Sequence, residues 1–143
     1  AIISHNFVFS GGFDIMKKEL VSLPDAEFEV MDALWSCEAE YAPTTEILAK
    51  MNTEKKAQTV LTMLSRLSEK GFLSSRKNGK ERLWKAEVTR EEYSSYEAKK
   101  LVNKIYGGSF SRLVSAFYEG EGLSEKDAEE LIELLGRKNG RKG

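Results

Sequence analysis

The sequence holds one cysteine, Cys37, and one histidine, His5. A disulfide framework needs a pair, and a Cys/His metal cluster needs several ligands, so both are excluded and no metal or other cofactor is expected. No apolar run approaches the ~18 residues a membrane-crossing helix requires, so no membrane insertion is expected. Catalytic groupings are lacking too. There is no His/Cys/Ser constellation and no glycine-rich phosphate loop, while Glu91-Glu92 and Glu129-Glu130 read as solvated helix faces. The expectation is a cytoplasmic protein that is not an enzyme.

Net charge is also scarce, at −1, but it is unevenly placed. Residues 53–85 carry nine Lys/Arg and three Glu, a surplus of six positive charges that leaves −7 for the remainder. A basic stretch on an otherwise acidic chain is the electrostatic footprint of a nucleic-acid-binding module.

Residues 1–15 lack the periodicity of the rest of the chain and precede Met16 of MKKEL; residues 1–19 are expected to be a disordered leading segment outside the fold. Beyond it, Pro24 suits a first helical position, and Phe28, Val30, Met31, Leu34 and Trp35 have the spacing of an amphipathic helix to about Cys37. Ser36 to Pro43 reads as a loop. A second helix is expected over Thr44–Met51 with Thr44 as its N-cap. A third begins near Asn52 or Thr53 and stops at Gly71, with Ala57, Val60, Leu61, Leu64 and Leu67 inward. Its other side carries Lys55, Gln58, Thr59, Thr62 and Arg66, without a carboxylate.

Phe72–Lys77 and Lys80–Ala86 read as two strands turning at Asn78-Gly79, a pair suited to a type I′ hairpin. Three helices with a basic hairpin after them make a winged helix-turn-helix, mainly α with a small β-hairpin, over residues 20–88. In that fold the third helix enters the major groove and the hairpin wing reaches the neighbouring backbone. Gln58 can bond an adenine edge, Thr59 and Thr62 can meet bases or a thymine methyl, and Lys55 can reach guanine or phosphate. Lys56, Arg76, Lys77, Lys80 and Arg82 suit phosphates. Arg66 fits an ion pair with a nearby Glu as well as a DNA contact, and Lys85 fits solvent as well as phosphate. Trp84 reads as core rather than a wedge between bases.

From Thr89 the character changes. Thr89 and Glu92 form a capping box that opens three amphipathic helices, broken at Gly107-Gly108 and Gly120 and ending at Gly136, with 137–143 as a flexible tail. Their apolar residues Tyr93, Tyr96, Leu101, Ile105, Phe110, Leu113, Phe117, Leu131 and Leu135 cannot be enclosed by about fifty residues alone. Residues 89–136 are therefore expected to dimerise; folding back onto the N-terminal module as a monomer is the alternative. A winged helix serving only protein–protein contact is a further alternative for the whole chain.

The runs L-P-D-A-E-F-E-V-M-D-A-L-W (Leu23 to Trp35), T-E-I (Thr45 to Ile47) and T-V-L-T-M-L-S-R-L-x-x-K-G (Thr59 to Gly71) resemble the penicillinase-repressor family. So do L-V-N-K-I-Y-G-G-S-F (Leu101 to Phe110) and L-S-x-x-x-x-E-E-L (Leu123 to Leu131). The resemblance implies a homodimeric winged-helix repressor on a palindromic DNA operator, in a β-lactam-resistance or related regulon. It also implies release by a sensor-activated protease that cuts an Asn-Phe bond in the dimerisation region. Here the matching pair is Lys100-Leu101. Gln58 stands where many relatives carry Lys, so the operator is expected to differ. A copper-responsive branch carries a C-terminal Cys-x-Cys pair, which this chain lacks.

Overall fold

The computed structural model describes residues 19–142, with the side chains of 138–142 left aside; the expectations for the leading segment, His5 included, fall largely outside the described residues. Two compact units divide at Glu97/Ala98. The N-terminal unit holds α1 (Asp25–Trp35), β1 (Ala42–Pro43), α2 (Thr44–Met51), α3 (Ala57–Glu69), β2 (Leu73–Asn78) and β3 (Glu81–Ala86). α4 (Arg90–Ile105) begins in it, and α5 (Phe110–Glu119) and α6 (Glu125–Lys142) belong to the second unit. This is the winged helix-turn-helix expected from the sequence.

Several boundaries differ for physical reasons. Pro24 sits one residue before α1, where its carbonyl accepts from Glu27 N at 3.0 Å and Phe28 N at 2.9 Å. Thr44 does not cap α2; its Oγ1 instead accepts from Trp84 Nε1 at 2.9 Å. The expected loop before α2 ends in a strand: Ala42 pairs with Trp84 and Pro43 with Leu83, giving an antiparallel sheet of order β1-β3-β2. Pro43 is tolerated because β1 is an edge strand. The hairpin closes on Asn78 opposite Glu81, so the two loop residues are Gly79 and Lys80 rather than Asn78 and Gly79. Only Gly79 has a positive φ, +72°, the pattern of a type II′ turn.

α3 starts later than expected, at Ala57, and Ala57 itself is exposed. Its end is a Schellman motif. Gly71, at φ +80°, donates to Ser68 O at 3.0 Å, and Phe72 N reaches Leu67 O at 2.9 Å. Phe72 and Leu67 are both fully buried, completing the apolar contact that accompanies such a cap. The helix then hands directly to β2.

One core joins Val30, Met31 and Leu34 of α1, Ile47 of α2, Val60, Leu64 and Leu67 of α3, and Phe72, Trp84 and Val88. Glu27 is buried beneath it and pairs with Lys70 Nζ at 2.5 Å, tying α1 to the end of α3. Arg90 holds the start of α4 on α1 through Asp32 Oδ1 at 2.6 Å.

Tyr93 and Tyr96, expected in the dimerising region, pack within the N-terminal unit. Tyr93 is buried among Phe28, Trp35 and Phe72, at centroid distances of 5.9, 6.1 and 5.7 Å, and Tyr96 packs against the same core. The first two turns of α4 thus complete the N-terminal unit, which reaches Glu97 instead of residue 88. At the far end α6 runs past Gly136 to Lys142.

The Tyr93 hydroxyl accepts from the buried Leu23 N at 2.8 Å and donates to Glu97. Burial and that carboxylate push the phenol well above its ordinary pKa. Tyr93→Phe strands the Leu23 amide, and should cost roughly 1–3 kcal/mol in urea unfolding. Unchanged stability would show that the amide finds another acceptor.

Candidate nucleic-acid interface

α3 buries Val60, Leu64 and Leu67, which turns Gln58, Thr59, Thr62 and Arg66 outward. Gln58, Thr62 and Arg66 are spaced four apart, so they form one stripe along the helix. Thr62 Oγ1 bonds Gln58 O at 3.1 Å, while the Gln58 amide meets no other side chain among the described residues. Arg66 makes no ion pair among the described residues, which removes the structural alternative for it.

The N-terminal end of α3 has no side-chain cap and no acidic residue in its first turn. Its positive dipole end is therefore left uncompensated, a favourable place for an anion. Lys56 stands there as the N-cap residue, with its carbonyl accepting from Thr59 N at 2.9 Å and Val60 N at 3.2 Å. Lys55 was expected on the helix face and is not. It lies in the turn before α3, half-exposed, with Nζ 3.5 Å from Glu29 Oε2 of α1. Such an exposed pair is worth little and exchanges readily for a stronger anion.

Strand alternation sorts the wing cations onto two faces. Trp84 is buried toward the helices, and Ser75 is its cross-strand partner. Lys77 and Arg82 oppose one another two residues further out and share that face. Arg82 Nη1 donates to Ser75 Oγ at 2.8 Å. Two cations directly opposed across a ladder repel, so this face has a standing demand for an anion. Lys80 occupies the turn, and neither it, Lys77 nor Arg82 makes an ion pair among the described residues.

Arg76 points the other way. Its guanidinium stacks on the Tyr41 ring at 3.9 Å, on the outer face of the sheet. Lys85 shares that face and pairs with Glu40 at 3.3 Å, which raises its pKa. Arg76 is thus separated from the other wing cations with which the sequence grouped it. Tyr41 was not legible in the sequence because its role depends on β1, whose pairing is non-local. Cys37 is half-buried, and burial together with Glu46 pushes its thiol to about 11, so it is a poor nucleophile.

In the second unit, α5 buries none of its residues. Phe110, Phe117 and Leu135 are about half exposed, Ile105 is 61% exposed, and Leu101 is also open, while Leu113 and Leu131 are half-buried. Tyr118, Ile132 and Leu134 are equally open. The unit is closed at its turns by local caps. Ser109 Oγ accepts from Arg112 N at 3.2 Å, and Ser124 and Asp127 exchange two bonds at 3.0 and 3.1 Å.

A model of the penicillinase repressor matches residues 23–137. The chain belongs to the penicillinase repressor family. It is similar to the methicillin resistance regulatory protein MecI of Staphylococcus aureus (strain N315), at 31% identity over 125 residues covering 86% of this chain and 100% of that protein. The penicillinase repressor of Bacillus licheniformis is 28% identical over 127 residues, covering 87% of this chain and 98% of its own. A solved structure of Bordetella bronchiseptica BpsR overlaps 82% of this chain and 76% of its own, at TM-score 0.41 and 18% identity, too distant to add weight. Family membership makes the chain a transcriptional repressor. No described helix is long and apolar enough to cross a membrane.

Proposed function

We propose that this repressor acts as a homodimer on a palindromic double-stranded DNA operator, with α3 in the major groove and the wing on the adjacent backbone. The observation that carries the reading is the outward stripe of α3: Gln58, Thr59, Thr62 and Arg66 beside an uncompensated helix N-terminus. Within it, Gln58 and Thr59 meet bases, while Lys56 meets phosphates together with Lys77 and Arg82 on the Trp84 face of the wing and Lys80 at its turn. Lys55 joins them by exchanging Glu29 for phosphate. Arg76 lies on the opposite sheet face and contributes less.

The exposed apolar residues of α5 and α6 support pairing with a second copy, since a soluble chain rarely leaves so many large apolar groups open. Two copies place two recognition helices on two half-sites. The names of the relatives, concerned with penicillinase and methicillin resistance, support a regulon of that kind. A sensor-activated protease would be the releasing partner by the family's route, but its Asn-Phe pair is replaced here by Lys100-Leu101 within α4.

Replacing Lys80 and Arg82 together by Ala should weaken binding to all duplexes alike and reduce the slope of log affinity against log salt by about 2, since each phosphate contact contributes about 0.9. An unchanged slope would remove the wing from the interface. Light scattering of the full chain at micromolar concentration should give twice the chain mass; a single chain mass would remove the dimer.

A further inference from the structure

Thr62 lies outward on α3, one helical turn beyond Gln58, and its hydroxyl is already engaged. A threonine hydroxyl has one hydrogen, and the Gln58 carbonyl 3.1 Å away can only accept, so that hydrogen points back along the helix. This back-bonded rotamer is one of the two that threonine adopts in a helix. It has a chemical consequence for anything approaching the face. The side chain has no donor left for the acceptors that dominate the major-groove edge, purine N7, guanine O6 and thymine O4. What it presents is a methyl group held in one orientation, beside hydroxyl lone pairs that can only accept and so find no donor on a thymine edge.

We propose that Thr62 selects thymine through the pyrimidine C5-methyl group, at a base pair within about two steps of the one met by Gln58. The spacing comes from the helix, where four residues rise about 6 Å, against roughly 3.4 Å per base pair. This rests on the reading that α3 enters the major groove, and it adds the chemical group read and the residue that reads it. Gln58 and Thr62 then form one device: the Gln58 side chain supplies donor and acceptor to an adenine, while its main-chain carbonyl restrains Thr62 as an apolar contact. Thr59, also exposed on this face, is a separate source of methyl contact, and any test has to separate the two.

The test uses the full chain and an operator recovered from random duplex DNA by that chain. Each thymine is replaced by uracil, which lacks only the C5-methyl, symmetrically in both half-sites, and affinity is measured by fluorescence anisotropy at fixed salt. One position in each half-site should lose about four- to fifteenfold per half-site, the scale of burying one or two methyl groups. Thr62→Ser keeps the hydroxyl and lacks the methyl, so it should bind the thymine and uracil duplexes alike at that position. Thr62→Val keeps a methyl and lacks the hydroxyl, so it should retain the discrimination. If Thr62→Ser still discriminates at every position, the methyl reader is another residue and the proposal is overturned. It is likewise overturned if Thr62→Val alone loses affinity, because the hydroxyl is then the reading group. Indifference of the unaltered chain to every thymine methyl, with tight operator binding intact, overturns this proposal alone. Absence of any duplex binding overturns the DNA reading beneath it.

Discussion

The burial of Val60, Leu64 and Leu67 fixes the rotation of α3, and with it every residue the helix can offer to a partner. Turning the helix by one residue would bring these side chains toward water, at about 1.5–3 kcal/mol each. The Schellman cap sets the other coordinate. Phe72 is locked under the core by its bond to Leu67 O, so α3 cannot slide along its own axis without unseating β2. The polar stripe from Gln58 to Arg66 is therefore held in place by groups on the far side of the helix.

The same core places the wing. Trp84 is buried toward the helices and bonded to Thr44, and strand alternation does the rest. Lys77 and Arg82 fall on the face that carries Trp84, and Arg76 on the opposite one, stacked on Tyr41. Charge that looks uniform along the sequence is split in space into an anion-seeking face and a self-satisfied one. The first turns of α4 are part of this arrangement, since Tyr93 closes the aromatic cluster and Arg90 binds α1. The apolar character of the second unit has no such outlet within its own fold.

Features encoded by local chemistry were legible in the sequence. The extent of α2, the Thr89–Glu92 capping box, the Gly71 stop and the existence of the hairpin all depend on neighbours in the chain. Features set by distant partners were not. β1 is two residues long and exists only because β3 pairs with it. Thr44 gave up capping for Trp84, forty positions away, and Tyr93 reads in the sequence as part of the dimerising face because its contacts come from the distant Phe28, Trp35 and Phe72. The start of α3 is displaced from its expected place because Thr53 and Lys55 satisfy each other locally, Lys55 N bonding Thr53 Oγ1 at 3.1 Å, in a turn that looks helical by composition. That displacement moves Lys55 off the interface stripe. Gln58, Thr59, Thr62 and Arg66 stayed outward, because the apolar period that fixed them was intact.

Selection of bound duplexes from random DNA by the full chain bears most directly on the claim that this face, presented twice, reads an operator. Two inverted half-sites should emerge with centres about one helical turn or a multiple apart. Recovery of a single asymmetric site, or of no preferred sequence, would contradict the account.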